Sequence, residues 1–132
     1  MAKAINWPGS FRDEVIGEST EKLCCAFRLG RLYYDNQYWV DGEVIDIRVN
    51  HIIIRKALIV GEMKCCPISD LTPEDFDCQK SSIQSQEAVV QFLATTYDQL
   101  VTPDMEISIV YYRNQPLDPA VLEVPDDPHE QA

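Results

Sequence analysis

Arginines and aromatic side chains in the first half of the chain are the residues best suited to hold a ligand. A guanidinium group binds a phosphate or a base edge through two parallel hydrogen bonds, and an aromatic ring stacks on a base. Arg28 and Arg31 flank Gly30, and an aromatic stretch follows them directly. We therefore predict an anion-binding pocket, with these candidate ligand-binding residues: Arg12, Arg28, Arg31, Tyr33, Trp39 and Arg48.

The same residues have a structural interpretation that the sequence leaves open. The aromatic rings can fill the core or a dimer contact, and the arginines can pair with Asp35, Asp41 and Asp46. Surface ion pairs of this kind are common and contribute little. The two interpretations differ in whether the arginines converge on one pocket.

The five cysteines are a second group with chemical potential, and they are Cys24, Cys25, Cys65, Cys66 and Cys78. Structural zinc sites space their thiolates by about two to four residues, whereas neighbours on a strand point to opposite faces. Each adjacent pair therefore offers one sulfur to a given site. We expect reduced, mostly buried thiols, no metal site and no cofactor.

Charge is distributed unevenly along the chain. The formal net charge is −11, from 11 basic and 22 acidic residues. Residues 1–66 carry equal numbers of each sign, so the whole excess lies in residues 67–132. An acidic protein repels DNA and anionic lipid, so we expect neither as a partner and place any anion site in the first half. The acidic half is alternatively an interaction module for a basic protein.

Length and composition favour a single globular domain. The chain has 132 residues, 45% of them hydrophobic, which is enough to form a core without metals or disulfides. We predict one domain over residues 1–113 and an acidic, proline-rich tail over 114–132. No apolar run reaches the roughly 18 residues of a membrane span, and no signal-peptide core precedes the domain, so a cytoplasmic location is expected.

Local patterns predict the elements that position the arginines. Ser10 is expected to cap a helix over 11–16 that stops at Gly17, and residues 23–29 are predicted as a strand. Residues 33–39 are predicted as a loop or an irregular edge. Period-two alternation over 45–49 indicates a strand, joined by a turn at Asn50-His51 to a long strand that bends near Gly61. Thr72-Pro73 and Ser85 mark two helix starts, and residues 105–112 form the last strand. This order predicts an α+β fold, a small, mostly antiparallel or mixed barrel capped by two or three helices.

The chain also resembles the ASCH domains of the PUA-like superfamily. The motif Phe27-Arg28-Leu29-Gly30 is similar to a family strand that ends in arginine, and Trp39-Val40-Asp41-Gly42-Glu43 is similar to the turn that leads into a barrel strand. The helix start at Thr72-Pro73 and the closing helix and strand also match. The resembling segments are residues 11–17, 27–30, 38–47, 54–63, 67–75, 92–97 and 107–112.

The resemblance implies a cleft between the first helix and the barrel, where PUA-like relatives often bind RNA or a modified nucleoside. One similar branch consists of acetylcytidine amidohydrolases, which use a lysine, a threonine three residues later and a glutamate. The only available trio here is Lys22, Cys25 and Glu74, and cysteine replaces the threonine. We therefore expect a non-catalytic binding domain for RNA, a nucleotide or a small anionic ligand, with amidohydrolase activity as the alternative. The oligomeric state is not predicted.

Overall fold

The computed structural model describes residues 3–123, in which six strands form one sheet and four short helices lie against it. In chain order the strands are β1 (Ala4–Trp7), β2 (Cys24–Leu29), β3 (Val44–Val49), β4 (Ile52–Ile59), β5 (Lys64–Pro67) and β6 (Glu106–Asn114). The helices are α1 (Arg12–Gly17), α2 (Leu32–Asp35), α3 (Pro73–Asp77) and α4 (Gln86–Tyr97).

The strand order in the sheet is β1-β3-β4-β6-β2, and β5 pairs with β6 beside β4. The β1–β3 pair is parallel and every other pair is antiparallel. The predicted α+β class with a mostly antiparallel or mixed sheet is therefore confirmed. The described strands form an open sheet, and within residues 3–123 no ladder joins β1 to β2, so the predicted closure into a barrel is not observed.

The hairpin of β3 and β4 follows directly from the sequence pattern. Ile45, Ile47 and Val49 are buried, as period-two alternation requires. Asn50 and His51 both have positive φ, 49° and 67°, which is the geometry of a two-residue turn matched to the twist of the strands. The strand predicted to bend near Gly61 ends at Ile59, and the chain continues as β5 along the same edge of β6.

The side chains of β2 and β6 alternate between two hydrophobic cores. The inner core contains Trp7, Ile47 and Tyr112 and receives Cys24 and Ala26 from β2. The second core contains Ile107, Ile109 and Leu93 and receives Cys25 and Phe27. Because residues 24 and 26 face the inner core, Arg28 starts from the same side of the strand.

Two helix starts are confirmed together with their capping chemistry. The Thr72 hydroxyl accepts the N–H of Asp75, whose carboxylate accepts the N–H of Thr72, which completes a capping box with Pro73 at the first helical position. The Ser85 hydroxyl accepts the N–H of Ala88 at the start of α4.

The structure differs from the sequence prediction at Ser10, in the stretch 33–39 and at two short strands. Ser10 lies in a 3-10 turn, Gly9–Phe11, and caps no helix. The stretch predicted as a loop contains the one-turn helix α2. Strands β1 and β5 were not predicted, because each has only four residues. The described part of the predicted tail includes a 3-10 turn, Pro119–Glu123, while residues 124–132 lie outside the described part.

Candidate functional site

Arg28 lies near the end of β2, beside aromatic side chains that lie in α2 and just after it. The ring of Tyr33 stacks on that of Trp39, with centroids 4.8 Å apart and planes 18° apart. The Arg28 guanidinium lies over the Trp39 ring at 5.8 Å from its centroid. Trp39 is 3% exposed, whereas Tyr33 and Arg28 are partly exposed. Arg28, Tyr33 and Trp39 are called the Arg28 site below.

The Arg28 guanidinium has little electrostatic compensation from the protein. Its one described hydrogen bond runs from Nη1 to the main-chain oxygen of Phe27, at 2.9 Å. No carboxylate pairs with it among residues 3–123. Burial lowers the pKa of Arg28, and the nearby phenols of Tyr97 and Tyr33 oppose this shift. A guanidinium with five donors therefore uses one of them and remains charged.

Arg31, three positions further, has the opposite environment. It is exposed, and its Nη1 and Nη2 bind Glu106 at 2.8 Å and Asp35 at 3.2 Å. Hydrogen bonds to these two carboxylates raise the pKa of Arg31. Its guanidinium lies over the ring of Tyr34. Two carboxylates thus already neutralise Arg31, as the structural interpretation of the sequence anticipated for arginines next to Asp35.

The other two candidate arginines lie in other parts of the fold. Arg12 lines a cavity of about 330 Å³ between the start of α1 and the β3–β4 hairpin, and its Nη2 reaches the main-chain oxygen of Val121 at 3.4 Å. Arg48 lies on β3 opposite Asn6 and Ile53, and its Nε is buried without a hydrogen-bond partner. The structure brings Arg28, Tyr33 and Trp39 together and does not bring Arg12 or Arg48 to them.

The trio considered for amidohydrolysis is not assembled. The thiol of Cys25 is buried and donates to the main-chain oxygen of Asp75 at 3.4 Å. Burial, and next the proximity of Cys78, raise the pKa of Cys25 well above its ordinary value, which opposes formation of a thiolate nucleophile. Lys22 lies 4.0 Å from Glu18, and Glu74 is exposed on α3. No described contact joins Lys22, Cys25 and Glu74.

A buried polar cluster that the sequence did not predict lies beside the inner core. Lys80 is 0% exposed, and its Nζ is 2.9 Å from Oε2 of Glu18 and 4.0 Å from the centroid of the Trp7 ring. Asn114 donates to Glu18 and to the sulfur of Cys24, and burial raises the pKa of Cys24 to about 12. A lysine in the polar stretch after Cys78 is typical of a surface residue, so no sequence signal marks it.

Arg55 lies beside this cluster and caps the carboxyl end of α1. Its Nη1 donates to the main-chain oxygens of Val15 and Glu18 at 3.1 and 3.0 Å, and its Nη2 donates to that of Gln115 at 2.7 Å. A cation at the carboxyl end of a helix satisfies carbonyl groups that have no partner within the helix. Arg55, 5% exposed, is therefore a structural residue.

A second cavity, of about 380 Å³, lies between α2 and the segment that joins β4 to β5. Its lining combines aromatic and apolar side chains with three carboxylates, those of Asp35, Asp41 and Glu62. Among the described residues, no group of three or more histidine, cysteine, aspartate or glutamate side chains is arranged to hold a metal ion. In residues 3–123 no helix combines the length and the apolar character that crossing a bilayer requires.

Comparison with known proteins identifies the fold. No family model matches the sequence, and no curated protein matches it. Two solved structures are similar over 80% of this chain: protein EF3133 of Enterococcus faecalis V583, assigned to DUF984, and an ASCH domain from Lactobacillus crispatus JV V101. Their identities are 12% and 13%, their TM-scores 0.57 and 0.54, and the matches cover 68% and 69% of their chains. The ASCH resemblance is confirmed at the level of the fold.

Proposed function

We propose that this ASCH-like domain binds a small anionic ligand of the nucleotide class at the Arg28 site. The observation that carries the proposal is the guanidinium of Arg28, which is partly buried against aromatic rings and pairs with no described carboxylate. Removing a charge from water is costly unless an opposite charge compensates it. A phosphate or carboxylate supplies that charge and accepts the unused donors of the guanidinium in pairs.

The contrast with the other cations supports this assignment. Lys80 has Glu18, Arg31 has two carboxylates, and Arg55 has the carbonyls at the end of α1. Arg28 alone among these four has neither a carboxylate nor a helix end, within the part of the chain that the structure describes. Arg28 is also the one of these four cations that lies against the Tyr33 and Trp39 rings.

The aromatic residues favour a ligand that also carries a flat ring. Trp39 is buried, so it supports the site from below, and the partly exposed Tyr33 is the ring that a ligand can reach. Stacking of a base on an aromatic side chain contributes about 1–3 kcal/mol. PUA-like relatives, to which the sequence resemblance points, often bind RNA or a modified nucleoside.

The overall charge favours a small ligand over a long polyanion. A net charge of −11 repels an extended phosphate backbone, whose affinity for a protein depends on many cations along its path. A single nucleotide interacts with the local field of Arg28 and is less affected by distant acids, which salt screens beyond roughly 8–10 Å.

Calorimetric titration with the four ribonucleoside 5′-monophosphates tests the proposal. We expect measurable binding of at least one, and a loss of roughly tenfold or more in affinity in Arg28→Ala, because a charge-assisted pair is worth about 1.5–3 kcal/mol. Arg113→Ala is the matched control, because Arg113 is an exposed arginine on β6 and makes no described ion pair. It should retain the wild-type affinity.

Two results would overturn the proposal. One is the absence of binding by folded wild-type protein at low ionic strength for all four nucleotides. The other is an equal loss of affinity in Arg28→Ala and Arg113→Ala, which would indicate a general charge effect. A 20-nucleotide single-stranded RNA is included as a further ligand, and binding of the RNA without binding of any mononucleotide would contradict the small-ligand proposal.

A further inference from the structure

The open edge of β2 brings one more side chain to the Arg28 site. β2 is the last strand in the order of the sheet, and its one ladder among the described residues is with β6. In an antiparallel ladder, alternate residues direct both of their main-chain groups to the partner strand. The N–H of Cys25 donates to the main-chain oxygen of Cys78 at 2.9 Å, outside β6. The odd-numbered residues of β2 therefore direct their main-chain groups to the open edge.

Arg28 and Tyr97 occupy neighbouring main-chain groups on this edge. Nη1 of Arg28 donates to the oxygen of Phe27 at 2.9 Å, and the hydroxyl of Tyr97 accepts the N–H of Leu29 at 3.2 Å. Residues two apart on a strand are separated by roughly 7 Å, and this carbonyl and this N–H lie between the two residues. The guanidinium and the phenol are therefore neighbours. Burial lowers the pKa of Arg28, and Tyr97 contributes most among the groups that oppose this shift.

The hydroxyl of Tyr97 has a donor that the protein does not use. Its oxygen is the acceptor in the bond from Leu29, and its O–H donates to no residue within 3–123. A phenol can accept one hydrogen bond and donate another at the same time. Tyr97 is 37% exposed, and its bond with Leu29 lies at the surface. A ligand at Arg28 can therefore reach this donor.

Helix α4 fixes the position of the phenol. Val89, Leu93 and Tyr97 are spaced by four residues, so they lie on the same face of the helix. Val89 and Leu93 are fully buried in the second core. The helix ends at Tyr97, because Asp98 takes a left-handed conformation with φ of 51°. The buried face thus directs Tyr97 to the edge of β2, and a donor held in this way costs little entropy when it binds.

The combined donors favour a phosphate over a carboxylate. Arg28 uses one of its five N–H groups on Phe27, so a pair remains for two oxygens of an anion. The phenol of Tyr97 adds a third donor from a different direction. A phosphate ester has three strong acceptor oxygens, whereas a carboxylate has two. A phosphate can therefore accept the guanidinium through two oxygens and Tyr97 through the third.

We propose that Tyr97 is a further ligand-binding residue of the Arg28 site and donates its hydroxyl to the phosphate of the ligand. This inference rests on the proposed nucleotide site and narrows its anion to a phosphate monoester. Arg28 supplies the charge, Tyr33 supplies the ring that a base can reach, and Tyr97 supplies a neutral donor that selects phosphate.

Calorimetric titration of Tyr97→Phe with the 5′-monophosphate that wild-type protein binds most tightly tests this proposal. The substitution removes the hydroxyl and keeps the ring. Tyr34→Phe is the matched control, because Tyr34 is also 37% exposed and lies under Arg31, which two carboxylates already neutralise. We expect a loss of affinity of about fivefold or more in Tyr97→Phe and of less than about twofold in Tyr34→Phe.

The 5′-carboxylate analogue of the same nucleoside separates a ligand contact from a structural role. This second ligand is needed because Tyr97→Phe also removes the acceptor of the Leu29 N–H. Arg28 occupies both oxygens of the analogue, so its affinity, measured by competition with the nucleotide, should change by less than about twofold in Tyr97→Phe. Equal losses for the nucleotide and the analogue would show that Tyr97 only supports the fold and would overturn the proposal.

Failure of this proposal and failure of the nucleotide site give different results. Unchanged nucleotide affinity in Tyr97→Phe, or equal losses in Tyr97→Phe and Tyr34→Phe, would overturn the role of Tyr97. The nucleotide site would remain supported in that case if Arg28→Ala still loses affinity. Absence of nucleotide binding by folded wild-type protein would overturn both proposals.

Discussion

The two hydrophobic cores on either side of β2 and β6 handle buried polar groups in different ways. In the second core, Asp75 is 4% exposed and fully partnered: its carboxylate accepts Lys64 at 2.7 Å, Tyr111 at 2.6 Å and the N–H of Thr72 at 3.1 Å. Around the inner core, buried polar atoms lack partners, among them Nε1 of Trp7, Nε1 of Trp39 and Oδ1 of Asn114. Trp7 and Trp39 both belong to the inner core.

The two regions therefore differ in how much hydrogen-bonding capacity the protein leaves unused. A fully paired buried group contributes to stability and has nothing left to offer a ligand. An unpaired donor or cation costs stability and is tolerated where a ligand or partner completes it. The proposed Arg28 site borders the inner core through Trp39, whose Nε1 is one of the unpartnered atoms.

The largest expected effect tests whether Lys80 stabilises the inner core through Glu18. In Lys80→Met the carboxylate of Glu18, 5% exposed, loses its closest counter-ion. We expect the free energy of unfolding to fall by about 3–5 kcal/mol, measured by urea denaturation. Lys80→Met/Glu18→Gln should recover at least half of that loss, because both charges are then removed. A loss below about 1 kcal/mol in the single variant would contradict a buried ion pair.

Replacing Asp75, the buried carboxylate of the second core, should lower the stability of the protein. Asp75→Asn weakens the bonds to Lys64 and Tyr111 and keeps the size of the side chain, so we expect a loss of about 2–3 kcal/mol in urea denaturation. Asp77→Asn, an exposed aspartate in the same helix, should change stability by less than about 0.5 kcal/mol. Equal effects of the two substitutions would show that the buried carboxylate of Asp75 adds no specific stability.

The same carboxylate predicts how stability depends on pH. Burial alone would raise the pKa of Asp75, but hydrogen bonds from Lys64 and Tyr111 lower it below its ordinary value of 3.8. Its contribution is therefore present above about pH 4 and is lost as the pH falls through the lower, folded-state pKa. Urea midpoints are measured from pH 3 to 7, and the difference between wild type and Asp75→Asn should narrow as the pH falls below about 4. A constant difference over that range would contradict this.

The smallest expected effect is the change in nucleotide affinity when Arg31, rather than Arg28, is replaced. Because two carboxylates already neutralise Arg31, Arg31→Ala should change nucleotide affinity by less than about twofold, against tenfold or more for Arg28→Ala. Calorimetric titration measures both. A larger loss of nucleotide affinity in Arg31→Ala than in Arg28→Ala would place the anion site at the exposed Arg31 and contradict the Arg28 site.

Sequence patterns predicted the elements that have strong local signals. The β3–β4 hairpin follows from strict alternation and a two-residue turn, and the starts of α3 and α4 follow from hydroxyl caps. Strands β1 and β5 have four residues each, so a short stretch such as Cys65-Cys66 shows no recognisable periodicity. These strands form because they pair with β3 and β6. Helix α2 is a single turn within an aromatic stretch, which has no capping signal.

The sequence predicted which residue types form the candidate site, but not which of the candidate residues come together. The clustering of arginines with aromatic residues in the first half identified Arg28, Tyr33 and Trp39. It equally included Arg12 and Arg48, which the fold places elsewhere. Whether an arginine keeps a free charge depends on partners that are distant in sequence.

The sequence by itself determined the class of the fold, the starts of α3 and α4 and the half of the chain that carries most of the basic residues, because these depend on local periodicity, capping and composition. The tertiary structure alone decided that Arg31 meets Glu106, 75 positions away, that Lys80 enters the core to meet Glu18, and that Arg28 meets no carboxylate among the described residues. The antiparallel pairing of β2 with β6 sets the first of these meetings, and packing against the inner core sets the others. Pairing between residues that are distant in sequence depends on proximity in space, which no local pattern in this chain encodes.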